Sequence, residues 1–243
     1  MEKKIVKIFP GNNEISFFLM NEWETSQNNA IKNKGYFTVA LSGGNTPVPF
    51  FQKLSEQKNR FTWNKTFIFQ VDERYVNFNH NDNNYKMIKE NLFDKINIPE
   101  NNIFPINTSL PFKESALDYE KQVRFFFKNE SHPGFDLILL GIGTDGHTAS
   151  LFPGNKVLNE NKKITAVVED KNINHKRITL TYPIINNSKK VIFLATGKNK
   201  TQIIKEIIEE KNKNYPASRV NPVNGDLIYV LDKDAGKGLI NIS

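Results

Sequence analysis

Apolar residues along this chain gather into short unbroken runs, most of them followed by a polar turn and then a stretch with helical spacing. YFTVAL (36–41) leads into SGGNTPVPFFQKLSEQ, with Pro47 placed for a first helical turn. TFIFQV (66–71) leads into DERYV and then DNNYKMIKENLF (82–93), and DLILLGI (136–142) leads into the turn DGHTASLF. RITLTY (177–182) and KVIFLAT (190–196) follow, the second feeding the amphipathic GKNKTQIIKEIIEE, while ITAVVED (164–170) and LIYVLD (227–232) complete the set. Runs without polar alternation predict strands buried on both faces. Their alternation with helical patterns predicts an α/β fold: a doubly wound, mostly parallel sheet with helices on both faces. No repeat, Pro/Ser-rich linker or composition break divides the 243 residues, so 1–243 reads as a single domain.

In open α/β sheets, ligands bind beyond the carboxyl ends of the strands. SGGNT, DER, GTDGH and TGKNK each lie at such an end. They are expected to converge on one cleft.

Composition changes this picture little. The net charge of +7 favours an anionic partner, but the lysines are scattered among asparagines rather than gathered in a stripe, so no nucleic-acid partner is expected. The absence of cysteine excludes disulfides, thiol nucleophiles and Cys-ligated metals. The apolar run in MEKKIVKIF is too short for a signal sequence, and no segment approaches the ~20 apolar residues of a membrane span. A cytoplasmic location without a membrane partner is the expectation.

The chemistry sits in the turns. SGGNTP offers Ser42, Gly43, Gly44, Asn45 and Thr46 between a strand and a helix start, where bare amides suit a phosphate, although an ordinary turn looks the same. In DER, Asp72 and Arg74 belong either to a site or to a salt bridge with a helix cap. Arg177 and Lys200 are the kind of cations a sugar phosphate needs, yet pattern alone does not select them among 33 basic residues. GIGTDG fits the dinucleotide spacing G-x-G-x-x-G, with Glu169 or Asp170 downstream. Against a nicotinamide cofactor, Asp145 would push a carboxylate toward the pyrophosphate. The other reading is catalytic: Asp145 and His147 share a glycine turn after a buried strand, and an imidazole, with an ordinary pKa near 6.5, accepts a proton from water at neutral pH. The turn's amides would then be exposed oxyanion donors. No G-x-S-x-G elbow accompanies them, and a metal held by Asp145 and His147 lacks an evident third ligand. His80, His132 and His175 lie in polar loops and read as solvated.

Taken in order, SGGNTP, VDERYV, DNNY (82–85), LGIGTDGHTASLFPG, RITLTYP and TGKNK resemble the 6-phosphogluconolactonase family, over about Ala40 to Arg219. The DGHTASLFPG stretch is the most specific of them. The related glucosamine-6-phosphate deaminases share the Gly-rich loop and the DGH core but follow it with a segment ending N-E-P-G, whose Glu is catalytic. Here Leu151-Phe152-Pro153-Gly154 stands in that place, and Phe152 cannot exchange a proton. The resemblance implies a sheet of the deaminase and ribose-5-phosphate isomerase type. It also implies hydrolysis of 6-phospho-D-glucono-1,5-lactone in the pentose phosphate pathway without metal or coenzyme. By similarity His147 activates water with Asp145 orienting it, while Arg74, Arg177, Lys200, the SGGNT loop and Gly143 hold the substrate and Asp72 faces the same cleft. Two departures are Asn45, where the family has a small hydroxyl residue, and Asn77, where it commonly has proline. Asn45 could still cap the following helix. A non-catalytic sugar-phosphate-binding protein on the same fold is the alternative from another class.

Overall fold

A computed structural model describes residues 4–128, 130–171 and 173–240. In chain order its strands are β1 (Lys4–Phe9), β2 (Phe37–Leu41), β3 (Thr66–Gln70), β4 (Asp72–Arg74), β5 (Ile103–Phe104), β6 (Leu137–Gly141), β7 (Thr165–Val168), β8 (Arg177–Leu180), β9 (Lys190–Ala195) and β10 (Asp226–Asp232). The α-helices are α1 (Asn12–Lys34), α2 (Val48–Glu56), α3 (Asn84–Asn91), α4 (Phe112–Phe126), α5 (Tyr182–Asn186), α6 (Thr201–Ile208) and α7 (Lys233–Gly236).

Seven strands pair in parallel in the order β1-β10-β9-β6-β2-β3-β5. Side chains alternate between the two faces, and both faces are apolar. Val39, Leu41, Ile68, Leu137, Leu139, Ile192 and Val230 join one core beneath α1, α2 and α3. Ala40, Phe69, Ile138, Leu140, Phe193 and Tyr229 join a second core with α4, α5 and α6. This two-sided burial is why the strands read as continuous apolar runs. From β2 the chain moves outward to β3 and β5, whereas from β6 it moves the opposite way to β9 and β10. Strand order therefore reverses between β2 and β6, which opens a crevice beyond their carboxyl ends. No helix among the described residues is long and apolar enough to cross a membrane.

The structure departs from the sequence expectation at several elements. ITAVVED and RITLTY do not join the parallel sheet: β7 and β8 form a separate antiparallel sheet with β4. DER is therefore a short strand, and its Glu73 also accepts the Asn84 and Tyr85 amides that open α3. RITLTY stops at Leu180 because Thr181 and Tyr182 begin α5, whose Pro183 is accepted in a first turn. Pro47 stands at the N-cap of α2, outside the helix, and Pro49 takes the first-turn position. Asn45 does not cap α2 with its side chain; its carbonyl accepts the Val48 N–H at 3.2 Å.

Candidate active site

The crevice at the reversal point is a cleft of about 290 Å³, lined by Ser42, Gly43, Gly44, Asp72, Arg74, Asn84, Gly141, Ile142, Gly143, His147, Ala149, Ser150, Phe152, Arg177 and Lys200. A larger groove of about 550 Å³ lies beside α4 and β7, but it is lined by Lys113, Leu117, Val157, Lys163 and Val167, and none of the four polar clusters reaches it.

The chain passes from β6 into irregular turns, with an isolated bridge between Thr148 and Leu151, and among the described residues no α-helix begins before α5. A pyrophosphate would find no helix N-terminus here, which removes the dinucleotide reading of GIGTDG. The glycines serve close packing instead. A Cβ on Gly143 would lie 2.1 Å from His147 Nδ1 and 2.5 Å from Asp145 Oδ1. Gly146, at φ 79°, would bring a Cβ to 2.4 Å from the Tyr215 ring. In the space so kept, His147 Nδ1 and Asp145 Oδ1 approach to 2.5 Å, and the same carboxylate oxygen accepts the His147 amide at 3.1 Å. Burial pushes the Asp145 carboxyl up, but the hydrogen bond and charge of His147 outweigh it and hold the group below its ordinary value. With Nδ1–H donated to Asp145, the neutral ring carries its free lone pair on Nε2. The Phe152 ring packs against the imidazole, 4.6 Å between centroids.

One expectation is narrowed at this turn. Two of its amides are engaged: the Gly143 N–H bonds His147 O at 2.8 Å and the Gly146 N–H bonds Gly143 O at 3.0 Å. The amides of Gly43 and Gly44, by contrast, have no partner among the described residues. Gly44 holds φ at 90°, which is open to glycine.

The second sheet supplies the cations. β4 and β8 pair so that Arg74 stands directly opposite Arg177. Like charges opposed across a ladder are unfavourable unless an anion lies between them. Burial first, and then Arg74, lower the pKa of Arg177. Its Nε is one of the buried polar atoms without a partner, as are Ser42 Oγ and Asn84 Oδ1 in the same cleft. Buried polar groups are normally satisfied, so three orphans converging on one cleft are suited to a polar ligand. Lys200 enters from the turn before α6, which is fixed by Gly197 N–H donating to Asp232 Oδ2 at 2.9 Å.

Asp72 shares Arg74's face of β4, pairs across the ladder with Thr179, and accepts the Ser150 hydroxyl at 2.6 Å. Glu73 faces away. It is fully buried, and its two oxygens accept N–H groups from Arg74, Asn84, Tyr85 and Gln70 at 2.7–2.8 Å. Burial nevertheless pushes its carboxyl up to about 7. Glu73 is the anchor of the β4–α3 connection.

The cleft thus brings together Ser42, Gly43, Gly44, Asp72, Arg74, Gly143, His147, Arg177 and Lys200. Asp145 stands behind His147. Asn45 and Thr46 are not among the lining residues. Asn84 and Ser150 line the cleft but carried no signal as individual residues, because Asn is common in this chain and Ser150 sits in a run assigned to the turn.

A family model described as Glucosamine-6-phosphate isomerases/6-phosphogluconolactonase matches residues 11–229. The chain belongs to this family. It is 42% identical over 209 residues to the 6-phosphogluconolactonase of Homo sapiens, covering 83% of this chain and 80% of that one. It is 41% identical over 215 residues to the 6-phosphogluconolactonase of Synechocystis sp., covering 86% and 88%. Among solved structures, 6-phosphogluconolactonase from Thermotoga maritima superposes with a TM-score of 0.83 at 30% identity, covering 95% of this chain and 100% of that one. The enzyme from Trypanosoma cruzi gives 0.86 at 28% identity over 99% of each chain. These family members are all named as lactonases rather than deaminases, in keeping with Phe152 at the divergent position.

Proposed function

We propose that this chain is a 6-phosphogluconolactonase, hydrolysing 6-phospho-D-glucono-1,5-lactone to 6-phosphogluconate in the oxidative pentose phosphate pathway, with the whole of 1–243 acting as one catalytic domain. The observation that carries the reading is the meeting, in one cleft, of the free Nε2 side of His147 with the opposed pair Arg74 and Arg177.

A δ-lactone is an activated ester, so a positioned base and water suffice. His147 Nε2 takes a proton as the water oxygen bonds C1, and Asp145 holds the imidazole and stabilises the imidazolium. The tetrahedral intermediate collapses by breaking the bond between C1 and the ring oxygen, which takes the proton back from His147. Every proton is accounted for without a metal or coenzyme. Arg74 and Arg177, with Lys200 and the amides of Gly43 and Gly44, bind the phosphate and the developing negative charge. Phosphate binding far from C1 supplies orientation energy to the reacting centre. Phe152 walls the imidazole where a deaminase would need a proton donor. Lack of cysteine fits the reducing cytoplasm as the place of action.

Hydrolysis of freshly generated lactone, corrected for its spontaneous opening, tests the reading. Turnover well above background with no ammonia release from glucosamine 6-phosphate is the expected result. Ammonia release at a comparable rate would assign the chain to the deaminases, and absence of both activities would leave a sugar-phosphate-binding protein.

A further inference from the structure

Among the described residues outside the cleft, one place brings ligating side chains together. The connection from β4 to α3 carries His80 and Asp82, and the connection from β7 to β8 carries His175. His175 Nε2 lies 2.9 Å from Asp82 Oδ2, a contact between residues 93 apart in the chain, and His80 Nδ1 lies 3.9 Å from the same oxygen. The two imidazoles meet edge to face, 5.4 Å between centroids. One ligand atom from each residue falls within 4.8 Å of the other two. The loop sequences predict separate solvated histidines. Both do stay at the surface, with side chains 45% and 27% exposed, but the fold turns them toward one carboxylate.

Two imidazoles and a carboxylate form a donor set used for zinc, with a water in the fourth position. Ligands held at about 2.0–2.2 Å in a tetrahedron stand roughly 3.4 Å from one another, and the two distances here fall on either side of that value. We propose that His80, Asp82 and His175 form a binding site for a divalent late transition cation, Zn²⁺ in the first place, that clips the β4–α3 connection to the β7–β8 connection.

The cation replaces the proton between His175 Nε2 and Asp82; that proton passes through solvent to Nδ1, so the ring stays neutral and its Nε2 lone pair is free for the metal. His80 Nδ1 now accepts the Asp82 amide N–H at 3.0 Å, so ligation through that atom exchanges one short-range hydrogen bond for a metal bond. Its exposed ring turns without disturbing the core. Of the neighbouring cations, Lys176 pairs with Glu169 and Lys86 with Asn79 O and Asn81 Oδ1, while Arg74 Nη1 donates to the carbonyl oxygen of Asp82 rather than to its carboxylate. That last bond links the clip to the cleft, since Asp82 steadies Arg74 and His175 lies just before Arg177. Imidazole donors favour zinc, copper and nickel over magnesium.

The test is calorimetric titration of the tag-free chain with ZnCl₂, and with MgCl₂ for comparison. One saturable zinc site with far weaker magnesium binding is expected. His175→Ala and Asp82→Asn should each weaken zinc at least about tenfold, the lower bound seen even for groups that only support a ligand. His147→Ala, which removes the other imidazole–carboxylate pair, should keep the zinc affinity. Zinc should raise the melting temperature of wild type and His147→Ala but not of His175→Ala. Independently, Cu²⁺ should selectively broaden the His80 and His175 imidazole resonances in wild-type protein. Zinc affinity unchanged in His175→Ala, lost in His147→Ala, or absent from wild type would overturn the proposal.

Discussion

Ser150 Oγ donates to Asp72 Oδ2 at 2.6 Å, a buried bond that ties the loop carrying His147 to the strand carrying Arg74. The Ser150 amide also donates to Thr179 Oγ1 at 3.2 Å, so the loop is held to both β4 and β8. Ser150→Ala leaves the Asp72 carboxylate without this donor. A loss of about 1–3 kcal/mol in unfolding free energy is expected, because the buried acceptor goes unsatisfied. Urea denaturation of the two proteins measures it, and equal stability would mean that Asp72 finds water instead.

Gly143→Ala tests what the glycine turn is for. The added Cβ meets His147 Nδ1 and Asp145 Oδ1, so the imidazole must shift while the fold persists. A misplacement on the order of 1 Å costs about 10²-fold in rate. The expected result is a fall in kcat of that size with a near-native melting temperature. Full activity would show that the pair tolerates displacement.

Arg177→Ala should act mainly on substrate affinity. Its Nε is buried without a partner, and a charged hydrogen bond is worth about 1.5–3 kcal/mol, or roughly a 10- to 150-fold rise in KM for the phosphorylated lactone. Lys200→Ala should shift KM in the same direction. An unchanged KM in both variants would remove these residues from the phosphate site.

Glu73 gives a pH signature. Its carboxyl is raised from 4.5 to about 7 by burial, so the fold favours the protonated form. Its contribution to stability is then fully present below the unfolded value and is lost as pH rises through about 7, by about 3 kcal/mol at most. Glu73→Gln is less stable throughout, because its amide nitrogen faces N–H donors. The difference in unfolding free energy between wild type and variant should nevertheless narrow as pH rises from 4.5 to 7. A constant difference would contradict the raised value.

The parallel sheet was legible because burial on both faces writes itself as unbroken apolar runs such as DLILLG and KVIFLA. What escaped had weaker patterns. Helix α1 buries Ile15, Leu19, Met20, Trp23, Gln27 and Ala30, a narrow stripe among asparagines, glutamates and lysines, with Gln27 buried through its bond to Thr66. The second sheet was hidden because β7, half-exposed at its centre, and the three-residue β4 carry no marker of strand direction. Within the site, residues at strand ends were found by position. Asn84 and Ser150 were not, since their places depend on the Glu73 anchor and the Asp72 contact, which join residues distant in sequence. The fate of the turn amides could not be read either, because Gly143 bonds a carbonyl within its own loop.

The central claim is that His147 is the base and not a binding residue. Its measurement is kcat for His147→Ala across pH, with the affinity for 6-phosphogluconate determined in parallel. A fall of about 10²-fold or more is predicted, with product affinity retained. Wild-type activity should also decline toward acid pH, because only the neutral ring accepts a proton, and this decline should be absent from the residual activity of the variant. A kcat within a few-fold of wild type, or a loss confined to binding, would contradict the account and move the base to Asp72, whose carboxylate lines the cleft.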